Sequence, residues 1–450
     1  SADYFAVFAD RLAKRIAGPG GKEPVVIMSQ GTSGDLMWMD YGKPEVKRKI
    51  GDYADGLAEI AFGAYRKIEY RDAADLAMRE TKLTLDRRAP DAERLKWARE
   101  RLAKLAGKKP TEQPDIYARE AVFLHEEPRR ELKLQAVRIG GFGLAAIPNE
   151  VFAITGLRIK AQSPLEPTAV IELANGAEGY IPPPAQHALG GYTTWPARSA
   201  ALEVQAEPKI AEAVLGLLEG VSGQKRRLHV EPGGLQAEAV KERKPVAYWR
   251  LDEFHGPRAT DAMGRHHATY EDGVAHYLEG PGDRNRCGHF AGGRVRATLK
   301  VLGERYSVEM WVWNGLPASA RAVTGYFFSR GPDGAKGAPG DHLGIGGTHL
   351  HAGRLIFNGN DRNRVLGGKT ALGFGEWHHV VLVRDGTSVT VYLDGKPEMT
   401  GEADVTVPAG EGTVFVGGRS DNFANFAGKI DEVAVYDRAL SAEELKGRGK

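Results

Sequence analysis

The chain has a single cysteine, Cys287, in 450 residues, so it can form no intrachain disulfide. A lone thiol suits a reducing compartment, but many exported bacterial proteins also do without cysteine, and location stays open on this ground. No apolar run approaches the roughly 18 residues that a membrane-spanning helix needs. Charge of one sign is also missing: 61 Lys and Arg are scattered among 59 acids for a net charge of +2, which gives no global reason to expect nucleic acid. Histidine is scarce before residue 230, where only His125, His187 and His229 occur. The first residues, Ser1-Ala2-Asp3-Tyr4, show no initiator Met, basic n-region or apolar h-region, and lead straight into a helical pattern of Phe5, Phe8, Leu12 and Ile16. A cut or processed chain is the expectation, and the missing leader then says nothing about export.

What is present describes a globular protein. Hydrophobic residues make up 42% and charged residues 27%, and the length calls for two or three domains. Composition changes near residue 222. Before it, helical periods alternate with short apolar strands. Val25 to Met28 reads as a buried strand, Tyr53 to Tyr65 as a helix with Leu57, Ile60 and Ala61 inward, and 89 to 107 as a charged helix. Leu132 to Ile139 and Leu144 to Ile147 read as a hairpin, Val151 to Ala161 as a helix, Ala169 to Leu173 as a strand and Lys209 to Leu218 as a closing helix. The charged stretch from Gly223 to Pro245 reads as a linker. After it, Ser307 to Trp313 alternates with period two, and Asp385-Gly386 and Asp394-Gly395 punctuate β-branched runs as hairpin turns do. Ser441-Ala442-Glu443-Glu444 is a capping box that opens one short helix. The predicted class is multidomain: an α/β domain with a mixed sheet and flanking helices over 1–222, a linker over 223–245, and an all-β jelly-roll sandwich over 246–450.

Three loops of the first domain offer convergent polar groups. One is Gln30-Gly31-Thr32-Ser33-Gly34-Asp35, at the end of the apolar run. The second is Pro148-Asn149-Glu150, opening the next helix. The third runs from Asn175 to Tyr180, with Gly190-Gly191-Tyr192 after it. Loops that follow strands are where α/β proteins place ligands. Each also has a purely structural explanation. Glu150 in a first helical turn suits the helix dipole, Asp35 can cap a turn, and Tyr180 can wedge the turn before Pro182-Pro183-Pro184. Gly141-Phe142-Gly143 resembles a dinucleotide fingerprint, but it lies between strands and carries no nucleotide site.

The segments SADY, QGTSGD, PNEVFAITGLRIK and ELANGAEGYIPPPAQHALGGY, within residues 1 to 222, resemble the later part of the neutral/alkaline ceramidase family, in its divergent bacterial branch. The resemblance implies hydrolysis of an amide, or less readily an ester, at a zinc ion held by two histidines, a glutamate and a tyrosine. Carried over, Glu150 and Tyr180 become zinc ligands, and the histidines would come from a preceding chain segment. Zinc lowers the pKa of bound water towards 7, and a tyrosine beside it can also stabilise an oxyanion. Ser33 and Asp35 are the further catalytic candidates. Family members read GDVSPN after this strand, and here Met37 stands in place of that serine, which a thioether cannot replace as donor or nucleophile. Trp38 and Tyr192 are candidates for substrate contact, on a lipid chain or a sugar face.

The remainder resembles laminin-G-like, concanavalin A-like jelly rolls, through Ala247-Tyr248-Trp249-Arg250-Leu251-Asp252-Glu253, Glu376-Trp377-His378-His379-Val380 and Gly428-Lys429-Ile430-Asp431-Glu432-Val433-Ala434-Val435-Tyr436. Such domains bind sugars or proteins and often hold calcium, for which Asp252, Asp431 and Glu253 are the candidate ligands. The sequence therefore supports a ceramidase-like zinc hydrolase of a lipid amide or similar small amide, carrying a glycan- or partner-binding sandwich. The alternative is a non-catalytic adhesion or envelope protein on a degenerate hydrolase scaffold. Either would be secreted, periplasmic or displayed at the cell surface.

Overall fold

A computed structural model describes residues 3–37, 45–70, 72–228, 234–282, 285–359 and 364–445. The chain forms two compact units, one of residues 1–183 with 191–229 and the other of 184–190 with 230–450.

The first unit contains α1 (Asp3–Ala17), α2 (Ile50–Tyr65), β1 (Leu76–Asp86), α3 (Ala92–Lys104), α4 (Gln113–Glu126), β2 (Arg129–Ile139), β3 (Phe142–Ala146), β4 (Glu150–Val151), α5 (Ala153–Gln162), β5 (Thr168–Ile171) and β6 (Tyr180–Ile181). After α6 (Pro184–Leu189), which groups with the second unit, α7 (Ala206–Ser222) closes the first. The sheet runs β1-β2-β3-β5, antiparallel except where β5 joins β3 in parallel. Its core is built by Leu132, Leu134 and Ala136 of β2 against Ile210, Val214 and Leu218 of α7, all fully buried or nearly so. These α7 positions recur at the helical spacing that puts one apolar stripe on a sheet.

Two expectations fail in this unit. Val25 to Met28 forms no strand, and Val25 and Ile27 are 90% and 85% exposed. Only Val26 and Met28 turn inward, onto the α1–α2 pair around Phe8, Leu12, Ala54 and Ala58. A short apolar run shows that residues seek cover, not what covers them. On α2 the small residues Ala54 and Ala58 face inward, because they let α1 approach closely, and Ile60 is left outside.

The second unit is a sandwich of two antiparallel sheets, eight strands each among the described residues. In the first sheet Arg305–Asn314 lies between Trp377–Asp385 and Ala427–Tyr436, and Ala247–Trp249 pairs with Ala427–Tyr436. The second is built around Val323–Arg330, between Asp341–Gly346 and Thr413–Val416. Val308, Met310 and Val312 of one sheet meet Phe328, Leu343 and Val416 of the other in a single buried core. The period-two alternation read in the sequence is thus the inward face of a half-buried strand. The stretch read as a linker contains α8 (Gly234–Glu242). Its Ala237 and Val240 pack with Tyr248, Val381 and Tyr436 on the outer side of the first sheet, so an apolar pair at helical spacing lay hidden among the charges. Ser441 and Glu444 cap α9 (Ala442–Leu445) reciprocally, as the capping box predicts.

Candidate functional site

In the first unit the three polar loops converge. β4 and β6 pair in parallel with Glu150 opposite Tyr180, which puts both side chains on one side of a short ribbon. Burial, then a hydrogen bond with the Glu150 carboxylate, then its charge push the Tyr180 phenol well above its usual pKa. Tyr192 stands edge-on to Tyr180 at 5.6 Å, Trp195 follows Tyr192 at 6.3 Å, and Tyr117 meets Trp195 at 5.8 Å. Glycine is required just before Tyr180: Gly179 has φ +77°, and a Cβ there would lie 2.4 Å from the Ser199 carbonyl oxygen.

The opening loop braces this ribbon. The Gly34 N–H donates to the Val151 carbonyl at 2.8 Å, and a Cβ on Gly34 would meet the Glu150 carbonyl oxygen at 2.5 Å. The Ser33 hydroxyl donates to Glu172 Oε1 at 2.6 Å, while Glu172 Oε2 accepts from the backbone N–H of Val151 at 2.7 Å. Asp35 Oδ1 accepts from the Ala153 N–H at 2.7 Å and so caps the first turn of α5. Ser33, through the Glu172 carboxylate, and Asp35, through the Ala153 N–H, therefore hold the loop in place. Trp38 lies outside the described residues, and Met37 beside it is exposed.

Glu150 and Tyr180 supply two oxygens. Among the described residues no group of three or more His, Cys, Asp or Glu side chains is arranged to hold a metal ion. Zinc favours four donors, mostly nitrogen and sulfur, so this pair does not by itself fit the ion that the resemblance implies.

In the second unit the pairing of Ala247–Trp249 with Ala427–Tyr436 carries Arg250 and Asp252 to the side of Asp431 and Glu432. Arg250 lies 3.0 Å from Asp252 and 3.3 Å from Glu432, and the Tyr248 hydroxyl donates to Glu432. Asp431 is fully buried. Its Oδ2 accepts from Asn285 Nδ2 at 2.6 Å, and its Oδ1 has no hydrogen-bond partner among the described residues. Burial first, then the charges of Glu432 and Asp252, raise this carboxyl well above the usual carboxylate range. Three acids face one guanidinium at this corner, and neither here nor elsewhere among the described residues is a group of three or more His, Cys, Asp or Glu side chains arranged to hold a metal ion. Glu253 stands apart, tied to the Tyr270 hydroxyl at 2.7 Å. The motifs named Asp252 and Asp431 but not Asn285, which comes from a separate turn with no signal of its own.

The same sheet bears an aromatic stripe on its outer face. Trp311 and Trp313 alternate with the core residues and stay partly exposed, with His379 5.2 Å from Trp311. Phe374, 59% exposed, lies 6.2 Å from Trp313, and the Lys429 ammonium sits 5.2 Å over the Trp313 ring. Trp377 is directly opposite Trp313 on the next strand.

Comparison with known proteins fits this fold. Residues 291–446 match the family model described as the concanavalin A-like lectin/glucanases superfamily. No curated protein matches the chain. Among solved structures, domain 4 of AbnA, a GH43 extracellular arabinanase from Geobacillus stearothermophilus bound to arabinotriose, is 19% identical, with 46% of this chain and 98% of that chain covered and a TM-score of 0.35. Trypanosoma rangeli sialidase with the inhibitor DANA is 15% identical over 45% of this chain and 32% of that chain, at a TM-score of 0.34. The binding domain of botulinum neurotoxin serotype D is 13% identical over 46% and 51%, also at 0.34.

Proposed function

We propose that the protein recognises glycans outside the cytoplasm, through the outer aromatic face of its β-sandwich, with a calcium ion held at the Asp252–Asp431 corner. One observation carries this reading: Trp313 and Trp377 lie opposite each other, incompletely buried, with the exposed Phe374 6.2 Å and the Lys429 ammonium 5.2 Å from the Trp313 ring. Indole and phenyl faces stack on the C–H faces of sugar rings, and the flanking Lys429 ammonium can bond hydroxyls. A cation between Asp252 and Asp431 would lock the first and last strands of the sandwich without touching the sugar. A glycan array with the full chain tests the reading. Binding to a defined glycan set that Trp313→Ala loses, with its thermal melt kept, is the expected result; no binding by the wild type removes it.

A second reading rests on the meeting of Glu150 with Tyr180. It is an amide hydrolase in which the phenol donates to the oxyanion of a small or lipid-like acyl substrate and Tyr192 contacts the substrate. A zinc-based version would need nitrogen donors from outside this pair. Metal analysis of the purified protein and hydrolysis of an N-acyl amide by wild type and Glu150→Ala decide it. Activity that Glu150→Ala removes supports a hydrolase; an inactive wild type without zinc leaves the recognition protein alone.

A further inference from the structure

We propose that a hollow in the first unit, between α3, α4 and the segment 192–200, binds an acidic sugar, with its carboxylate at Arg88 and Arg94 and its ring against Trp195 and Tyr117. Its lining includes neither Glu150 nor Tyr180, although Trp195 touches the ribbon through Tyr192. The hollow holds about 500 Å³, within the range of small-molecule sites. Its walls are apolar: Pro90, Ala121, Leu124 and Pro196 frame the two aromatic rings.

The charge inside it is unbalanced. The Arg88 guanidinium donates to the carbonyls of Leu202 at 3.1 Å and Thr194 at 2.7 Å, and to that of Ala200. These partners are neutral, and two of the five guanidinium N–H groups remain. The Arg94 guanidinium carbon lies 3.8 Å from the Trp97 ring centroid, a cation–π contact that supplies no anionic partner. Among the described residues neither arginine forms an ion pair, although most other buried or half-buried arginines of the chain do. Arg198 next door is chelated by Glu120 at 2.7 and 2.8 Å, and Arg101 is paired with Asp115. Burial lowers the Arg88 guanidinium from its usual pKa, with no carboxylate to offset the effect. Two guanidinium groups against the single carboxylate of Asp91 leave the lining with a net positive charge, and Arg recognises carboxylates through paired N–H groups.

The rim selects for hydroxyls. Asp91, one oxygen of which accepts from the Arg94 backbone N–H at 2.7 Å, and the amide-bearing Gln113 both line the hollow. A purely apolar acid would set hydrocarbon against both groups, whereas ring hydroxyls can bond to them. Trp195, edge-on to Tyr117 and Tyr192 and still 42% exposed, keeps indole surface for the ring to cover.

Titration calorimetry of the full protein at low salt with digalacturonate and a glucuronate disaccharide, with their carboxyl-reduced forms, and with octanoate and benzoate tests this. The expected result is that at least one uronate binds about tenfold or more tighter than its reduced form, weakening as salt rises. Arg94→Gln, at an exposed side chain, should weaken it about tenfold with an unchanged melt, which corresponds to about 1.4 kcal/mol. Trp195→Ala should weaken it too, while Trp313→Ala on the sandwich should not. Equal binding of the reduced sugars, octanoate or benzoate as the tighter ligand, no uronate binding, or loss in Trp313→Ala with none in Arg94→Gln would each overturn the proposal. Loss in Arg94→Gln alone, with array binding absent, would sustain this site while removing the glycan reading of the sandwich.

Discussion

Asp431 shows what one buried side chain can report. Its carboxyl has a raised pKa in the folded state, so it favours the fold below the ordinary carboxylate value of about 3.9. That contribution is lost as pH rises through the raised folded value, because a bare charge must then be buried with Oδ1 unpaired. A bound cation reverses the sign, since it favours the ionised form. Thermal melts in millimolar calcium should therefore show a gain that is larger at pH 8 than at pH 5, and that vanishes in Asp431→Asn. At a hundredfold excess over Kd the gain is about 2.7 kcal/mol. A second residue, Gly179, tests the other site. Gly179→Ala forces a Cβ onto the Ser199 carbonyl at a φ that suits only glycine, and should cost more than about 1 kcal/mol in denaturant titration. Glu150 and Tyr180 were named together only through the ceramidase resemblance, and it is the β4–β6 register that sets them opposite each other. Asn285 and the hollow around Arg88 were not legible, because they join chain segments with no shared local pattern.

At the level of elements, sequence legibility followed how completely one pattern dictated both local structure and cover. Arg305–Asn314 alternates apolar and polar residues, and each apolar one has a partner in the facing sheet, so strand and face were both readable. Val25 to Met28 had the apolar content without the alternation, and its neighbours cover only half of it. β1 was missed because its pattern is diluted: it carries Arg79, Glu80 and Lys82 as an edge strand with one wet face, paired only to β2. α4 was missed for a related reason, since it buries the acids Asp115 and Glu120 against Arg101 and Arg198 instead of against hydrocarbon. The capping box makes the element-scale prediction. Glu444 accepts from Ser441 and Arg438, and the Arg438 bonds, ahead of the backbone bond from Ser441, hold its carboxyl at about 2. Ser441→Ala should lower stability by about 1 kcal/mol in urea titration. Because Leu445 of that helix is buried with Leu440 and Tyr436, hydrogen exchange should quicken in 436–445 and leave Arg305–Asn314 slow.

For the whole molecule, the two units carry separate cores: one is built by β2, β3 and α7, the other by the facing sheets of the sandwich, and no residue belongs to both. A perturbation confined to one core therefore has a defined reach. Calcium bound at the 252/431 corner, as proposed, would tie Ala247–Trp249 to Ala427–Tyr436, strands that run through the middle and the margin of one sheet. Hydrogen exchange with and without calcium should show slowing that centres on these two strands and on 285–291, which contributes Asn285 and pairs with Ala427–Tyr436. Amides of β1, β2 and β3 should exchange at the same rate in both conditions, since none of their residues takes part in that corner. Uniform slowing across both units would mean that calcium acts somewhere other than Asp431, and Asp431→Asn would then leave the slowing intact.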